Sequence, residues 1–296
     1  MGENELIYAD AVTNLDEADL VILGVPFDGT SSHRSGSSAA PGAIRKESYN
    51  LETYSPKYHY NVEDLKFHDM GDAKGYTNVR DMIESLPKMI RDIIDEQKFL
   101  ITVGGEHSVT IPVVKTLTES NQNQEFGIVY FDAHMDLRDS YLDEKYSHAA
   151  VARRLCDVIG IDNIVWLGVR SWSEEEEETI KKLKPRFYTA DKIIELGMGK
   201  IIKESLAYLG KKKIYLSLDM DVFDPSYAPG VGNPEYFGLS PWQLRDAIEI
   251  LAPFLIGSDI VEVSPAFDSG NTAALAAQMI HLIIGLTANN KNTAQK

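Results

Sequence analysis

The segment Phe126–Asp136 reads FGIVYFDAHMD and joins an apolar run to three polar residues at alternate positions, Asp132, His134 and Asp136. An apolar run of this length is typical of a buried strand, and alternate side chains of a strand point to the same side of the sheet. Carboxylates and an imidazole in this arrangement predict a metal site at the carboxyl end of the strand.

Comparable apolar runs recur along the chain, with helical patterns between most of them. The predicted strands are Asp19–Pro26, Leu65–Met70, Phe99–Val103, Phe126–Asp132, Asn163–Val169, Arg186–Thr189, Lys213–Asp219 and Ser258–Val263. The first predicted helix begins at Pro41. The further predicted helices are Val79–Gln97, with an interruption near Pro87, and Ser147–Val158, Ser173–Leu183, Ala190–Leu209, Ser240–Phe254 and Asn271–Thr287. This alternation predicts an α/β fold with a mostly parallel sheet covered on both faces. No repeat or linker divides the chain, so we expect a single domain over residues 1–296.

The composition of the chain argues against several classes of binding partner and of cellular location. A formal net charge of −16 over 296 residues disfavours nucleic acid and anionic membranes as partners and would attract cations. The single Cys156 cannot form an intramolecular disulfide, and residues 1–5 lack the features of a signal peptide. No segment approaches the ~20 apolar residues of a membrane helix. We therefore expect a cytoplasmic protein.

Other metal-binding side chains follow further strands. His107 comes after the turn Gly104–Gly105, and Asp219 and Asp221 follow the strand Lys213–Asp219. In a parallel sheet such residues gather at the carboxyl ends of the strands. Helix capping or loop hydrogen bonding is the alternative reading of each residue. However, six such groups would bury much negative charge without a cation, so the sequence predicts two adjacent metal ions with bridging carboxylates.

The predicted ligands are four carboxylates and two imidazoles, without sulfur, which favours a hard or borderline ion such as Mn²⁺. Two such ions, typically about 3.5–4 Å apart, can lower the pKa of a shared water to about 7 and provide hydroxide as a nucleophile. That chemistry suits hydrolysis of an unreactive C–N bond. Phosphoester hydrolysis is the alternative, but we find no Gly-rich phosphate loop or cluster of Lys and Arg at a strand end.

Four segments resemble the signature segments of the ureohydrolase family, the arginases and agmatinases. They are Gly104–Ser108, Phe131–Asp136, Ser217–Pro225 and Val261–Pro265, and the resemblance extends in order from Gly24 to Ala273. It implies a three-layer αβα sandwich with about eight strands. It also implies a centre of two Mn²⁺ per chain that hydrolyses a guanidinium group to urea and an amine, and a homotrimer or homohexamer.

The same resemblance implies a role for each ligand. One ion would bind His107, Asp132, Asp136 and Asp219, and the other Asp132, His134, Asp219 and Asp221, so that Asp132 and Asp219 bridge.

Two further residues are candidates for catalysis. Glu262 follows a predicted strand, and its carboxylate can pair bidentately with a planar guanidinium; a structural ion pair is the alternative. His148 matches the family's histidine that is not a ligand, and it can transfer a proton to the leaving amine; a partly exposed residue at a helix start is the alternative. We expect His59, His68 and His281 to be structural by default, and likewise His33, although its loop could reach the site.

The substrate prediction depends on the loop beyond Asp136. Arg138 stands where arginases have Asn, which argues against arginine, and Tyr146–Ala149 resembles prokaryotic agmatinases. The resemblance therefore implies hydrolysis of agmatine, a small dication, to urea and putrescine in polyamine biosynthesis. Asp139, Asp143 and Glu144 are candidates for its distal ammonium, or ordinary loop residues.

Several alternatives remain open. His148–Ala150 and Ser264–Asp268 depart from common family patterns and leave the specificity of the pocket unsettled. N1-aminopropylagmatine, arginine and guanidinobutyrate, whose carboxylate would use Arg138, are alternative substrates. A non-catalytic, metal-stabilised binding protein and an amidohydrolase of acylated polyamines are alternatives of another class.

Overall fold

The computed structural model describes residues 6–73, 75–120, 125–210 and 212–294, with side chains through residue 288. Residues 1–5, for which we predict no signal peptide, lie outside this range. The strands are β1 Leu20–Val25, β2 Tyr54–Ser55, β3 Tyr60–Asn61, β4 Phe67–Asp72, β5 Phe99–Gly104, β6 Phe126–Phe131, β7 Ile164–Val169, β8 Arg186–Thr189, β9 Lys213–Asp219 and β10 Leu255–Val261.

Eight of these strands form one sheet in the order β4-β1-β5-β10-β9-β6-β7-β8, and every neighbouring pair is parallel. The short strands β2 and β3 form a separate antiparallel hairpin. The prediction of a mostly parallel sheet of about eight strands is confirmed. Two strands differ from their predicted ranges: β4 begins at Phe67 and ends at Asp72, and β10 begins at Leu255 and ends at Val261.

Helices cover both faces of the sheet. They are α1 Ala40–Ser48, α2 Val79–Asp95, α3 Thr110–Glu119, α4 Val151–Ile159, α5 Glu174–Leu183, α6 Ala190–Leu196, α7 Met198–Tyr208, α8 Pro241–Leu251 and α9 Asn271–Ala294. Alternate residues of each strand belong to two different cores: Ile22 packs with α1 and α6–α9, whereas Val21 packs with α2–α4. The three-layer αβα prediction is therefore confirmed.

Two helix predictions were wrong in detail. Pro87 does not interrupt α2, although it removes a backbone hydrogen bond, because one apolar face of that helix stays buried from Val79 to Ile94. The predicted helix Ala190–Leu209 is two helices, because Gly197 between them has φ +84°, a conformation that ends α6.

The helix α9 shows that length and apolarity alone do not identify a membrane segment. Asn271–Ala288 has a mean hydropathy of 1.3 and is long enough to cross a membrane, a property that the sequence prediction overlooked. However, 78% of this window is buried inside the protein, as in a core helix.

The strand order places the candidate ligands together. The four central strands of the sheet are β5, β10, β9 and β6. His107, Glu262, Asp219 and Asp132 follow or end these four strands. Because carboxyl ends of parallel strands meet at one edge, residues more than 150 positions apart in the sequence become neighbours.

Candidate metal centre

The turn after β5 brings His107 to the sheet edge. Gly105 lies against the loop that follows β1, where a Cβ atom would come within 2.0 Å of the Phe27 carbonyl oxygen, so only glycine fits. The Glu106 N–H donates to that same carbonyl over 2.8 Å. The chain then enters a short 3₁₀ turn over His107–Val109, which buries the His107 imidazole.

The residues after β6 converge for a reason different from the predicted one. The strand ends at Phe131, and Asp136 has φ +51°, a left-handed conformation. The argument from alternate strand positions therefore does not hold for Asp136, which lies beyond the end of the strand. The chain turns at Asp136, and this turn brings its carboxylate beside the strand, where Oδ2 accepts a hydrogen bond from the Tyr130 hydroxyl over 2.8 Å.

The end of β9 supplies two more carboxylates. Asp219 is the N-cap of a 3₁₀ turn over Met220–Val222, and its Oδ1 accepts from the Asp221 N–H over 2.7 Å. The Asp221 carboxylate in turn accepts from the Ala133 N–H over 3.0 Å, which joins this loop to the one after β6.

Five of the six side chains form two adjoining clusters. In the first, His107 Nδ1 lies 3.1 Å from Asp132 Oδ2 and 3.0 Å from Asp219 Oδ2. In the second, His134 Nδ1 lies 2.9 Å from Asp221 Oδ2 and 3.4 Å from Asp132 Oδ1. Asp132 belongs to both clusters, and each cluster is compact enough for its members to hold one cation.

Asp136 completes the set of six. Its Oδ2 lies 3.7 Å from His107 Nδ1, at the margin of the first cluster. The structure therefore brings together all six residues predicted as ligands.

The charges of these clusters fit a cation. The four carboxylates are at most 7% exposed, and Asp132 Oδ2 is buried without a hydrogen bond among the described residues. Burial and repulsion between the carboxylates raise the pKa values of Asp136 and Asp219 well above the usual range. Burial would lower the pKa of His107, but the carboxylates of Asp132 and Asp219 raise it far more. Metal ions would supply the positive charge that both shifts indicate is missing.

The side of His107 that faces away from the cluster is fixed by a buried network. Its Nε2 lies 2.9 Å from Ser217 Oγ, which donates to Asp259 Oδ1 over 2.8 Å. The Tyr215 and Thr110 hydroxyls donate to the other oxygen of Asp259 over 2.8 and 3.0 Å. Because the Ser217 proton goes to Asp259, Ser217 accepts from His107 Nε2–H, and Nδ1 is left for the cluster.

Glu262 lies beside the clusters in a strained conformation. It follows β10 directly with φ +66°, and its Oε1 accepts from the His107 N–H over 2.8 Å. A Cβ atom on Gly232 would lie 3.2 Å from Oε2, so the glycine leaves space at that oxygen. Burial, together with the charge of Glu106, raises the pKa of Glu262 to about 8. A cation beside Oε2 would offset both causes.

His148 lies at the start of a 3₁₀ turn before α4, near the loop that follows β1. Its imidazole contacts Thr30 and Ser32, and it packs edge-on against the Tyr141 ring with centroids 5.9 Å apart. Burial lowers the pKa of His148 to about 4, so the imidazole is neutral at pH 7.

These side chains open into one cleft of about 310 Å³. The lining residues are Ser32, His107, His134, Asp136, Arg138, Tyr141, His148, Ala149, Ser171, Trp172, Ser173, Glu176, Asp219, Asp221, Asn233, Glu235 and Glu262. Arg138 is the single Lys or Arg among these described residues. Its Nε lies 3.6 Å from Glu176 Oε2, and its guanidinium lies over the Tyr141 ring at 5.0 Å.

Other residues that we considered from sequence lie away from the cleft. Asp139 pairs with Arg154 over 2.8 Å, and Glu144 pairs with Arg80 over 3.5 Å. Asp143 and His33 are exposed and are not among the residues that line the cleft. The structure therefore does not support a role for these acidic residues at the distal end of a substrate.

Sequence reasoning missed several residues that shape the site. The Arg170 guanidinium donates to the carbonyls of Gly168, Asp221, Val222, Phe223, Glu235 and Tyr236, and so ties the loop after β9 to the Glu235 segment. Nothing in its local sequence distinguishes it from a surface arginine. Asp259 did carry a signal, since it is a charged residue inside an apolar strand.

Comparison with known proteins gives consistent results. A sequence model of the arginase family matches residues 18–285. The agmatinase of Bacillus cereus is 34% identical over 275 residues, which cover 92% of each chain. The N(1)-aminopropylagmatine ureohydrolase of Thermococcus kodakarensis is 35% identical over 288 residues, again 92% of each. The crystal structure of the agmatine ureohydrolase of Thermoplasma volcanium is 37% identical, with a TM-score of 0.91 over 98% of this chain and 97% of the other.

Proposed function

Because the chain belongs to the arginase family and is a ureohydrolase, we propose that it is a Mn²⁺-dependent agmatinase that converts agmatine to urea and putrescine. The observation that carries this proposal is the position of Glu262. Its carboxylate lies in the same cleft as the two clusters of His and Asp, fixed by the His107 N–H at 2.8 Å.

The six clustered residues would hold two Mn²⁺ ions. His107, Asp132, Asp136 and Asp219 would bind one, and Asp132, His134, Asp219 and Asp221 the other. Oxygen and nitrogen donors without sulfur suit Mn²⁺, and the uncompensated charge supports a pair of cations. When bound, such ions supply an activated water for attack on the guanidinium carbon.

The protein's own residues orient the substrate and move the proton. Glu262 would pair with the guanidinium and hold its carbon against the clusters. His148 is neutral at pH 7, since burial lowers its pKa to about 4, so its unprotonated ring nitrogen would accept the proton that the attacking water loses and pass it to the leaving amine.

The charge of the cleft favours a dication over a substrate with a carboxylate. Glu176 is 4% exposed and accepts hydrogen bonds from the backbone N–H groups of Leu137 and Ser173 over 3.0 and 2.9 Å. This fixed carboxylate lies 3.6 Å from Arg138 and balances its charge, so the guanidinobutyrate carboxylate would have to disrupt the pair. Glu235 adds further negative charge at the cleft, with 39% of its side chain exposed.

N1-aminopropylagmatine is the second candidate substrate. The cleft is open to solvent on the side of Glu235 and Trp172, so a longer cationic chain could extend outward while its guanidinium contacts Glu262. The similarity to the Thermococcus enzyme supports this candidate as strongly as the Bacillus enzyme supports agmatine.

The cellular setting belongs to the same proposal. We propose that residues 1–296 form one domain that acts in the cytoplasm, in polyamine biosynthesis, as a homotrimer or homohexamer.

The test is an assay of urea release from agmatine, N1-aminopropylagmatine, guanidinobutyrate and arginine with added Mn²⁺. We expect agmatine to have the highest kcat/KM. Urea from none of the four would contradict guanidine hydrolysis, and a preference for arginine or guanidinobutyrate would contradict the charge argument. Elemental analysis should find about two Mn per chain, whereas a clearly lower content would favour the non-catalytic alternative.

A further inference from the structure

Thr30 joins a buried carboxylate to the imidazole of His148. The Thr30 hydroxyl lies 2.6 Å from Glu106 Oε1 and 3.2 Å from His148 Nδ1. It also accepts a hydrogen bond from the His148 N–H over 2.9 Å. These contacts connect Thr30, Glu106 and His148. The proposed function does not explain why these three residues are hydrogen-bonded to one another.

The Glu106 carboxylate is surrounded by donors. It is fully buried, and it accepts from the Thr30 N–H over 2.7 Å and from the hydroxyls of Thr30, Ser108 and Ser31 over 2.6, 2.6 and 3.4 Å. A carboxylate with this set of neighbours acts as an acceptor.

The direction of the hydrogen bonds follows from counting protons. A threonine hydroxyl has one proton, and the shortest contact, 2.6 Å, assigns it to Glu106. The same oxygen can then only accept from His148, so Nδ1 must carry the imidazole proton. In the neutral ring this leaves Nε2 unprotonated, 3.4 Å from Ser32 Oγ in the cleft.

We propose that Thr30 and Glu106 are positioning residues that hold His148 in the Nδ1–H tautomer and thereby make Nε2 its proton-accepting atom. The arrangement has the same form as the buried network of His107, Ser217 and Asp259, in which a hydroxyl between a carboxylate and an imidazole fixes one ring nitrogen as a donor.

The tautomer decides which nitrogen can exchange a proton in the cleft. Transfer to a leaving amine requires Nε2 to take up a proton and release it, while Nδ1–H stays bonded to Thr30. Only this kinetic consequence rests on the proposed function. The tautomer itself can be measured whether or not the protein hydrolyses a guanidine.

The direct test is ¹⁵N NMR of histidine-labelled protein, with Zn²⁺ replacing paramagnetic Mn²⁺. The His148 signals are assigned by their loss in His148→Gln. We expect the Nδ1–H tautomer in the wild-type protein and in Thr30→Ser, which keeps the hydroxyl. Thr30→Val removes the acceptor at nearly constant volume, so the ring should revert towards the Nε2–H form. Ser31→Ala is the matched control and should keep the Nδ1–H form.

Glu106→Gln provides a second and sharper variant. The Thr30 N–H can only donate, so the Gln carbonyl must occupy the Oε2 position, and the amide NH₂ must face the Thr30 and Ser108 hydroxyls. Thr30 would then accept from Gln and donate to His148 Nδ1. This reversal should convert His148 to the Nε2–H tautomer without removing any side chain from the network.

The Mn²⁺ enzyme provides the kinetic readout. Thr30→Val should lower kcat about 10- to 100-fold with KM changed less than about threefold, and Thr30→Ser should retain most of kcat. Glu106→Gln should lower kcat by a similar factor. An Nε2–H tautomer in the wild-type protein, or an unchanged Nδ1–H tautomer in both Thr30→Val and Glu106→Gln, would overturn the proposal. If a variant does not fold, the tautomer of His148 in the wild-type protein still tests the proposal. Absence of urea release with the predicted tautomers would refute the proposed function alone.

Discussion

The two imidazoles of the candidate metal centre have very different surroundings. His107 is 1% exposed, and its outer nitrogen belongs to the network of Ser217 and Asp259. The His134 side chain is 25% exposed, and its outer nitrogen has a loose contact with Glu235 Oε1 at 3.6 Å. One half of the centre is therefore built into the protein core, whereas the other half is part of the cleft wall.

This difference predicts which half of the centre can change its conformation when a metal ion binds. A histidine whose partners are buried and hydrogen-bonded is oriented before any metal arrives, and this preorganisation raises metal affinity. A histidine at the cleft can shift with the loops that hold it. We expect the cluster around His107 to bind its ion more tightly and to exchange it more slowly than the cluster around His134.

Asp132→Asn should have the largest effect, because Asp132 belongs to both clusters and its loss removes the difference between them. We expect metal content to fall at both positions and kcat/KM for agmatine to fall at least about 1000-fold. Elemental analysis and the urea assay measure these quantities. Asp143→Asn is the matched control, since Asp143 is exposed and does not line the cleft. An Asp132→Asn protein that keeps two ions would contradict the bridging role.

Glu262→Gln should separate substrate recognition from the metal clusters. The amide retains the size of the side chain but loses the charge that pairs with a guanidinium, so we expect kcat/KM to fall about 100-fold or more. Metal content should stay within error of the wild-type value at both clusters. Full activity in this variant would refute the role of Glu262, and loss of metal would show that its effect passes through His107.

Asp259→Asn should weaken the core half of the centre selectively. Three hydroxyl groups donate to Asp259, and an amide nitrogen in place of one oxygen cannot accept from them. We expect the affinity of the tighter ion to fall about 10- to 100-fold, as is typical when a partner of a ligating histidine is removed. Titration of the metal-free protein with Mn²⁺ measures both affinities. An equal loss at both sites would contradict the proposed difference between the halves.

Glu235→Gln should give the smallest effect. The contact of Glu235 with His134 is 3.6 Å long and the carboxylate is 39% exposed, so it restrains the ring weakly. We expect the affinity of the weaker ion to fall about two- to fivefold and the tighter one to remain unchanged. Should Glu235→Gln reduce metal binding more than Asp259→Asn does, the comparison between the halves would be reversed.

The strands of the sheet and the residues that gather at its edge were predictable because both depend on local patterns. Apolar runs located the sheet strands, and the polar residues just beyond their carboxyl ends located the clusters. The left-handed turn at Asp136 was not predictable, because its conformation depends on contacts with Tyr130 and the first cluster. The pairing of Arg138 with Glu176 was equally hidden, since Arg138 lies in the loop after β6 and Glu176 in the first turn of α5.

The sequence-based prediction did not identify the hydroxyl groups that orient the two histidines. Ser217 and Thr30 each orient a histidine, from positions 110 and 118 residues away along the chain. No periodicity marks such a residue, because serine and threonine are common in loops and strands alike. Their role became visible only when the distances to both a carboxylate and an imidazole were known.

The order of the strands also determines when each strand can pair during synthesis of the chain. During synthesis β5 and β6 emerge long before β9 and β10, yet the finished sheet places both late strands between them. The inner edge of β6 pairs with β9, which is complete at residue 219, whereas the inner edge of β5 pairs with β10 and has no partner until residue 261 has left the ribosome. The addition of β10 therefore completes the sheet and brings Glu262 beside the clusters, so the whole site can form only when most of the chain has been synthesised.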